Sequence, residues 1–164
     1  MIIKKIFLTL FALILLSTNS YSAGSDDPPV TKVKSYYSKA VDLIKFAKKY
    51  EKKGKIEKAQ KKYAKAQTLL IKSNEKKPLQ ADTLNYLGFT TRKLGDYENG
   101  EKYYLLGLEI DPNHKGINEY LGELYVVTNR IDLAKERLNV LENCNCEEYG
   151  ELKEIIDGTK TSKY

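Results

Sequence analysis

The sequence predicts an all-α protein built as a stack of antiparallel helical hairpins, and three observations carry that prediction. Two stretches superimpose at a shift of 34 residues: Leu87-Gly88 recurs as Leu121-Gly122, Gly100 as Ala134, Tyr104 as Leu138 and Gly107 as Leu141. A period of this length, with one small residue early in a first helix and another deep in a second, describes a repeated helical pair. The helix breakers Gly54, Pro78, Gly95, Pro112 and Gly116 fall between periodic segments, not inside them. No alternating apolar and polar pattern of the strand type follows Val30.

Along the chain, residues 1–22 read as an export signal. Lys4-Lys5 precede an apolar run from Ile6 to Leu16, and the small polar stretch Ser17 to Ser22 precedes Ala23. Positive charge, short apolar core and small-residue tail make a secretory signal, with cleavage expected after Ser22. The apolar run is shorter than the roughly 20 residues of a membrane-spanning helix. Residues 23–36, opening on Ala-Gly-Ser-Asp-Asp-Pro-Pro, read as a disordered leader.

The first hairpin is expected over residues 37–80 and is the most divergent. At a shift of 41, Leu43, Phe46, Ala47, Gly54, Ile56, Ala59, Tyr63 and Ala66 map onto Leu84, Leu87, Gly88, Gly95, Tyr97, Gly100, Tyr104 and Gly107. The seven extra residues are absorbed between Ser73 and Gln80, where Pro78 marks a longer connection. The second hairpin, 81–114, places Leu84, Leu87 and Leu94 on the packing side of a helix from Ala81 to Lys93. Gly95-Asp96 turns the chain into a return helix from Tyr97 to Ile110, which carries Tyr104, Leu108 and Ile110, and Asp111-Pro112-Asn113 ends it. Gly88, Gly100 and Gly107 each forgo about 1 kcal/mol of helix propensity, which is tolerable where two helices approach closely. The third hairpin, 115–146, repeats the plan with helices from Lys115 to Thr128 and from Ile131 to Asn143. Residues 147–164 hold a capping helix and tail, with Tyr149, Leu152, Ile155 and Ile156 on one side to close the last open face.

Charge is spread unevenly. From Thr31 to Gln80 the net charge is +12, and from Ala81 to Tyr164 it is −6. A basic first hairpin of this kind suits weak contact with an anionic envelope surface or an acidic partner, or is simply a solvated helix face. Nucleic acid is not expected as a partner of an exported protein. The basic residues are nearly all lysine, with only Arg92, Arg130 and Arg137 able to grip phosphate bidentately.

Cys144 and Cys146 are the only cysteines. Export permits a disulfide between them, a staple holding the end of the last repeat helix against the cap. Free or intermolecular thiols, a redox-active pair and a soft-metal site remain alternatives. Metal binding would need further ligands, and the single histidine, His114, lies some 30 residues away. That single histidine also makes a Ser-His-Asp arrangement improbable, and no Gly-rich loop follows a strand to cradle phosphate. No catalytic residue, cofactor or metal site is assigned, and an enzyme is not expected.

The segment Leu84-Asn-Tyr-Leu-Gly88, with Lys93-Leu-Gly-Asp-Tyr97, Tyr104, Gly107 and Asp111-Pro112-Asn113, resembles a tetratricopeptide repeat. Leu84 replaces the usual aromatic residue of the first helix. The next hairpin keeps Tyr120-Leu121-Gly122, Tyr125, Ala134 and Leu138, with Cys146 where the closing proline would stand. The stretch from Asn85 to Tyr149 is also similar to small exported tetratricopeptide proteins of Gram-negative bacteria. The resemblance implies a right-handed superhelical solenoid whose concave face, lined by the first helices, holds a protein or peptide partner. It implies groove positions at Asp82, Asn85, Phe89 and Arg92, and at Glu119, Glu123 and Val126. There Asn85 would hydrogen-bond a bound backbone, Phe89 would be an apolar anchor, and the two glutamates would favour basic residues. The expectation is therefore a non-catalytic periplasmic adaptor. The alternatives are a thiol-redox or soft-metal accessory protein using Cys144 and Cys146, and an envelope-associated protein held by the lysine-rich hairpin.

Overall fold

The computed structural model describes residues 34–162, so the expected signal segment and most of the expected leader lie outside the described residues. Seven helices follow one another: α1 (Tyr36–Glu51), α2 (Ile56–Lys76), α3 (Ala81–Lys93), α4 (Tyr97–Ile110), α5 (Lys115–Val127), α6 (Ile131–Leu141) and α7 (Glu147–Ile156). No strand occurs among the described residues. The fold is the all-α helical-repeat solenoid that the 34-residue period predicts.

Local chemistry sets the helix ends. The Ser35 side chain caps α1 by accepting the Ser38 backbone N–H at 3.1 Å, and Asp96 caps α4 by accepting from Asn99 N–H at 3.1 Å. The first two hairpin turns use glycine in left-handed backbone, Gly54 at φ 68° and Gly95 at φ 95°. The third places Asn129 there, at φ 59°; asparagine is one of the few other residues that visits this region readily.

Leu79, between α2 and α3, also adopts positive φ, at 55°, with its side chain 52% exposed. A half-covered leucine gains little there from burial and carries the steric cost of left-handed backbone. Leu79→Gly is expected to stabilise the protein by about 1 kcal/mol, offset in part by the greater freedom of glycine when unfolded. Urea denaturation would read this as a higher midpoint; an equal or lower midpoint would contradict it.

Each odd-numbered helix from α1 to α5 pairs with the helix after it, α2 packs on α3, α4 on α5, and α7 covers α5 and α6. The first, third and fifth helices also touch in succession, forming a shared inner face. One part of the core gathers Ala40, Ile44, Tyr63, Leu70, Leu84 and Leu87. Another gathers Tyr104, Ile117, Leu121, Leu124 and Ala134. The glycines of the repeat are there for space: a Cβ on Gly88 would stand 2.5 Å from the Tyr104 ring, and one on Gly122 would stand 2.5 Å from Leu152 of α7. The second contact shows how the cap seats, with an apolar knob filling the small-residue notch of the last repeat.

Three expected packing residues are exposed. Leu94 is 37% exposed because it is the C-cap of α3, already leaving the helix. Phe46 is 52% exposed, although its counterpart Leu87 is buried. Leu87 has the preceding hairpin to cover it, whereas among the described residues no helix precedes α1. Ile110, the last residue of α4, is 42% exposed, past the part of the helix that packs.

Candidate functional site

The inner face divides into a closed centre and an open end. At the centre, Phe89 of α3 is 1% exposed. Its ring meets Tyr63 of α2 at 5.7 Å and Tyr120 of α5 at 5.0 Å between centroids. Lys48 of α1 lies 4.6 Å over the Phe89 ring and donates to the Tyr120 hydroxyl at 3.1 Å. One turn further along α3, Arg92 donates to the Tyr120 carbonyl at 2.6 Å and to Glu123 at 3.3 Å. The ion pair of Arg92 and Glu123 is completely enclosed, with side chains 0% and 1% exposed. Val126 is half-buried against the core around Tyr104 and Leu121. Phe89, Arg92, Glu123 and Val126, expected in an open groove, are here engaged by the protein's own side chains, which stitch α1, α3 and α5 together.

The open end lies where α3 and α5 begin. Asp82, Asn85 and Glu119 share a cavity of about 650 Å³ with Tyr37, Tyr120 and Glu148 among its other lining residues. Asp82 is exposed in the first turn of α3 and accepts from His114 Nε2 at 3.1 Å. His114 caps α5 by accepting the Ile117 N–H on Nδ1 at 3.1 Å, so in its neutral form the ring proton sits on Nε2. Asn85 is 7% exposed, and its amide oxygen has no hydrogen-bond partner among the described residues. A Cβ on Gly116 would stand 2.8 Å from the Asn85 amide nitrogen, so glycine at that position keeps the amide clear.

Glu119 is 8% exposed, and its carboxyl is pushed up to about 8, first by burial and then by the neighbouring Glu123, with Lys48 acting against both. The folded protein therefore holds a proton on Glu119 that the unfolded chain has already released between about pH 4.5 and pH 8. Over that window stability falls as pH rises. Glu119→Gln is expected to raise Tm at pH 8.5 and change it little at pH 5, as thermal unfolding at the two values would show. An equal shift at both would assign the effect to packing.

Three of the seven expected groove residues, Asp82, Asn85 and Glu119, are thus brought together around one cavity. Tyr37, Tyr86, His114 and Glu148 join them without having been singled out as site residues. His114 was legible only as part of a connection, because histidine is not among the side chains that usually cap a helix. Glu148 reaches the cavity through the docking of α7.

A second cavity, of about 560 Å³, opens at the start of α1 and the end of α2, with Lys34, Lys39, Lys76 and Lys77 around Tyr36 and Tyr37. Cys144 and Cys146 are disulfide-bonded, with Cα atoms 5.2 Å apart. Asn145 between them takes left-handed backbone at φ 45°, and Cys146 is the N-cap of α7. The pair ties off the link between α6 and α7. Among the described residues, no group of three or more His, Cys, Asp or Glu is placed to hold a metal ion. No described helix is long and apolar enough to cross a membrane.

These features define an all-α helical-repeat protein with a polar cavity on its inner face. Residues 81–114, the whole of the second hairpin, match the tetratricopeptide repeat family model. No curated protein matches at the level of sequence. Among solved structures, the chain is similar to the first tetratricopeptide domain of Spaghetti (RPAP3) bound to the HSP90 peptide SRMEEVD. Identity there is 20% over 77% of this chain and 98% of that one, with a TM-score of 0.47. It is also similar to the first such domain of human RPAP3, solved by NMR, at 21% identity over 76% of this chain and 94% of that one, with a TM-score of 0.48.

Proposed function

We propose that this protein is a non-catalytic periplasmic adaptor that binds a protein or peptide partner at the inner face where α3 and α5 begin. The observation that carries the reading is Asn85, a buried amide beside an open cavity with its oxygen unsatisfied. A buried polar group without a partner is costly, typically about 1–3 kcal/mol. A half-turn of the amide would present that oxygen to the cavity, where a bound backbone N–H can satisfy it. The tetratricopeptide repeat at 81–114 supports the same reading, since such repeats present their first helices to peptides. The periplasmic assignment rests on the signal-like N-terminal sequence and on the Cys144–Cys146 disulfide, which suits an oxidising compartment.

Affinity capture of the mature protein from envelope extract tests the binding reading. Asp82→Trp would fill the cavity mouth from an exposed position, and Lys58→Trp on exposed α2 surface serves as the control. A discrete partner lost only with Asp82→Trp supports the reading. A partner retained by Asp82→Trp and lost with Lys58→Trp moves binding to the lysine-rich hairpin. Detection of a mature N-terminus at Ala23 in the periplasmic fraction tests the compartment, and an intact Met1 in the cytoplasm would contradict it.

A further inference from the structure

We propose that the cavity at the start of α3 and α5 receives the ammonium or guanidinium group of a lysine or arginine side chain from a basic segment of the partner. This deepens, and rests on, the peptide-binding reading of the same site.

Carboxylates reach the cavity from four separate elements: Asp82 in the first turn of α3, Asp111 after α4, Glu119 in α5 and Glu148 in α7. Among the described residues that line the cavity, the basic side chains are Lys115 and His114, with the His114 Nε2–H directed at Asp82, and Lys48 acts on Glu119 from α1. Tyr37, Tyr86 and Tyr120 supply aromatic walls, and the Tyr37 and Tyr86 rings lie 5.9 Å apart in a tilted pair. Carboxylates with aromatic faces form an environment for a cation on an apolar stem.

Asn85 is the independent second observation. Its amide is more than nine-tenths buried and its oxygen is unsatisfied. A half-turn of the terminal torsion brings that oxygen to the position beside Gly116 now held by the nitrogen, where it can accept from a cationic N–H. Glu119 supplies the charge once its proton is released. Its surroundings are Glu123 on the same helix, Lys48 on α1, and Glu148 and Glu151 on α7. Lys48, the one cation among them, is engaged with the Tyr120 hydroxyl. An incoming cation therefore meets a buried carboxyl in an acidic surrounding, and its arrival favours release of the Glu119 proton.

The test is NMR titration of the mature protein with blocked single residues: N-acetyl N-methylamides of lysine, arginine, norleucine and glutamate, with putrescine as a free diamine. The lysine and arginine probes are expected to shift the Asn85 side-chain amide and Gly116 signals saturably, while norleucine and glutamate leave them in place. At pH 9, where Glu119 is ionised, Glu119→Gln should weaken the lysine probe about tenfold. Asn85→Ala, verified by a dispersed amide spectrum, should weaken it several-fold. Affinity for the lysine probe should rise from pH 6 to pH 9 more steeply in the parent protein than in Glu119→Gln, where His114 is the remaining group of the cavity that changes charge.

Equal binding of norleucine, or an unchanged affinity in both variants, would overturn the proposal. So would saturation by putrescine without binding of the lysine probe, which would make the site one for small free amines. The two readings fail separately. Probe binding without any captured protein sinks the adaptor and leaves the cation site, whereas capture blocked by Asp82→Trp without probe binding does the reverse.

Discussion

Arg92→Met is expected to lower the free energy of unfolding by about 3–5 kcal/mol, because it leaves the enclosed Glu123 carboxylate without its guanidinium partner. The double variant Arg92→Met/Glu123→Leu removes both charges and fills similar volume, so it should recover most of that loss. The Tyr120 carbonyl loses its Arg92 hydrogen bond in both variants, so that contribution cancels in the comparison. Urea denaturation of parent, single and double variants gives the three values. A single variant within about 1 kcal/mol of the parent would show that the pair is not what ties α3 to α5.

The second large effect concerns Tyr104. Its ring is fully buried in the notch left by Gly88, and its hydroxyl finds no partner among the described residues. Tyr104→Phe keeps the ring and removes an unsatisfied polar atom, so stability should be unchanged or higher. Tyr104→Ala empties the notch and should cost about 3–5 kcal/mol. Calorimetric Tm values for the two variants test the pair together. A clear loss with Tyr104→Phe would mean the hydroxyl is satisfied in solution, by water for instance.

The helical plan was written plainly in the sequence because the repeat imposes the same steric demand in successive hairpins. Gly88 and Gly122 occur where a neighbouring side chain leaves no room for a Cβ, and Gly54 and Gly95 where the turn needs left-handed backbone. Such demands act over short distances and leave a residue-level mark. The interior of the inner face was less legible. Helical spacing assigns Phe89, Arg92 and Glu123 to the side facing the groove, but it does not say how far α1 stands from α5. In a stack this short, Lys48 and Tyr120 span the interval and close it over Phe89. One signal was available. Arg92 and Glu123 carry opposite charge at a separation of 31 residues, about one helical turn short of the 34-residue period. That offset places their side chains opposite each other on adjacent first helices.

The cavity was legible only in part for a related reason. Asp82, Asn85 and Glu119 follow from periodicity on α3 and α5, whereas Tyr37, His114 and Glu148 arrive from α1, a helix cap and α7. Their convergence depends on how separate hairpins dock. The lysine excess of the first hairpin, by contrast, was visible at once, and its solvent-facing residues on α2 make it a ready control surface for binding experiments.

The most direct measurement is photo-crosslinking in cells, with a photoreactive residue placed at Lys115 on the cavity rim or at Lys61 on the exposed face of α2. The account predicts one discrete crosslinked partner from position 115, none from position 61, and loss of the product in the Asp82→Trp background. A partner captured from position 61 alone, or a product at position 115 that survives Asp82→Trp, would contradict binding at the inner face.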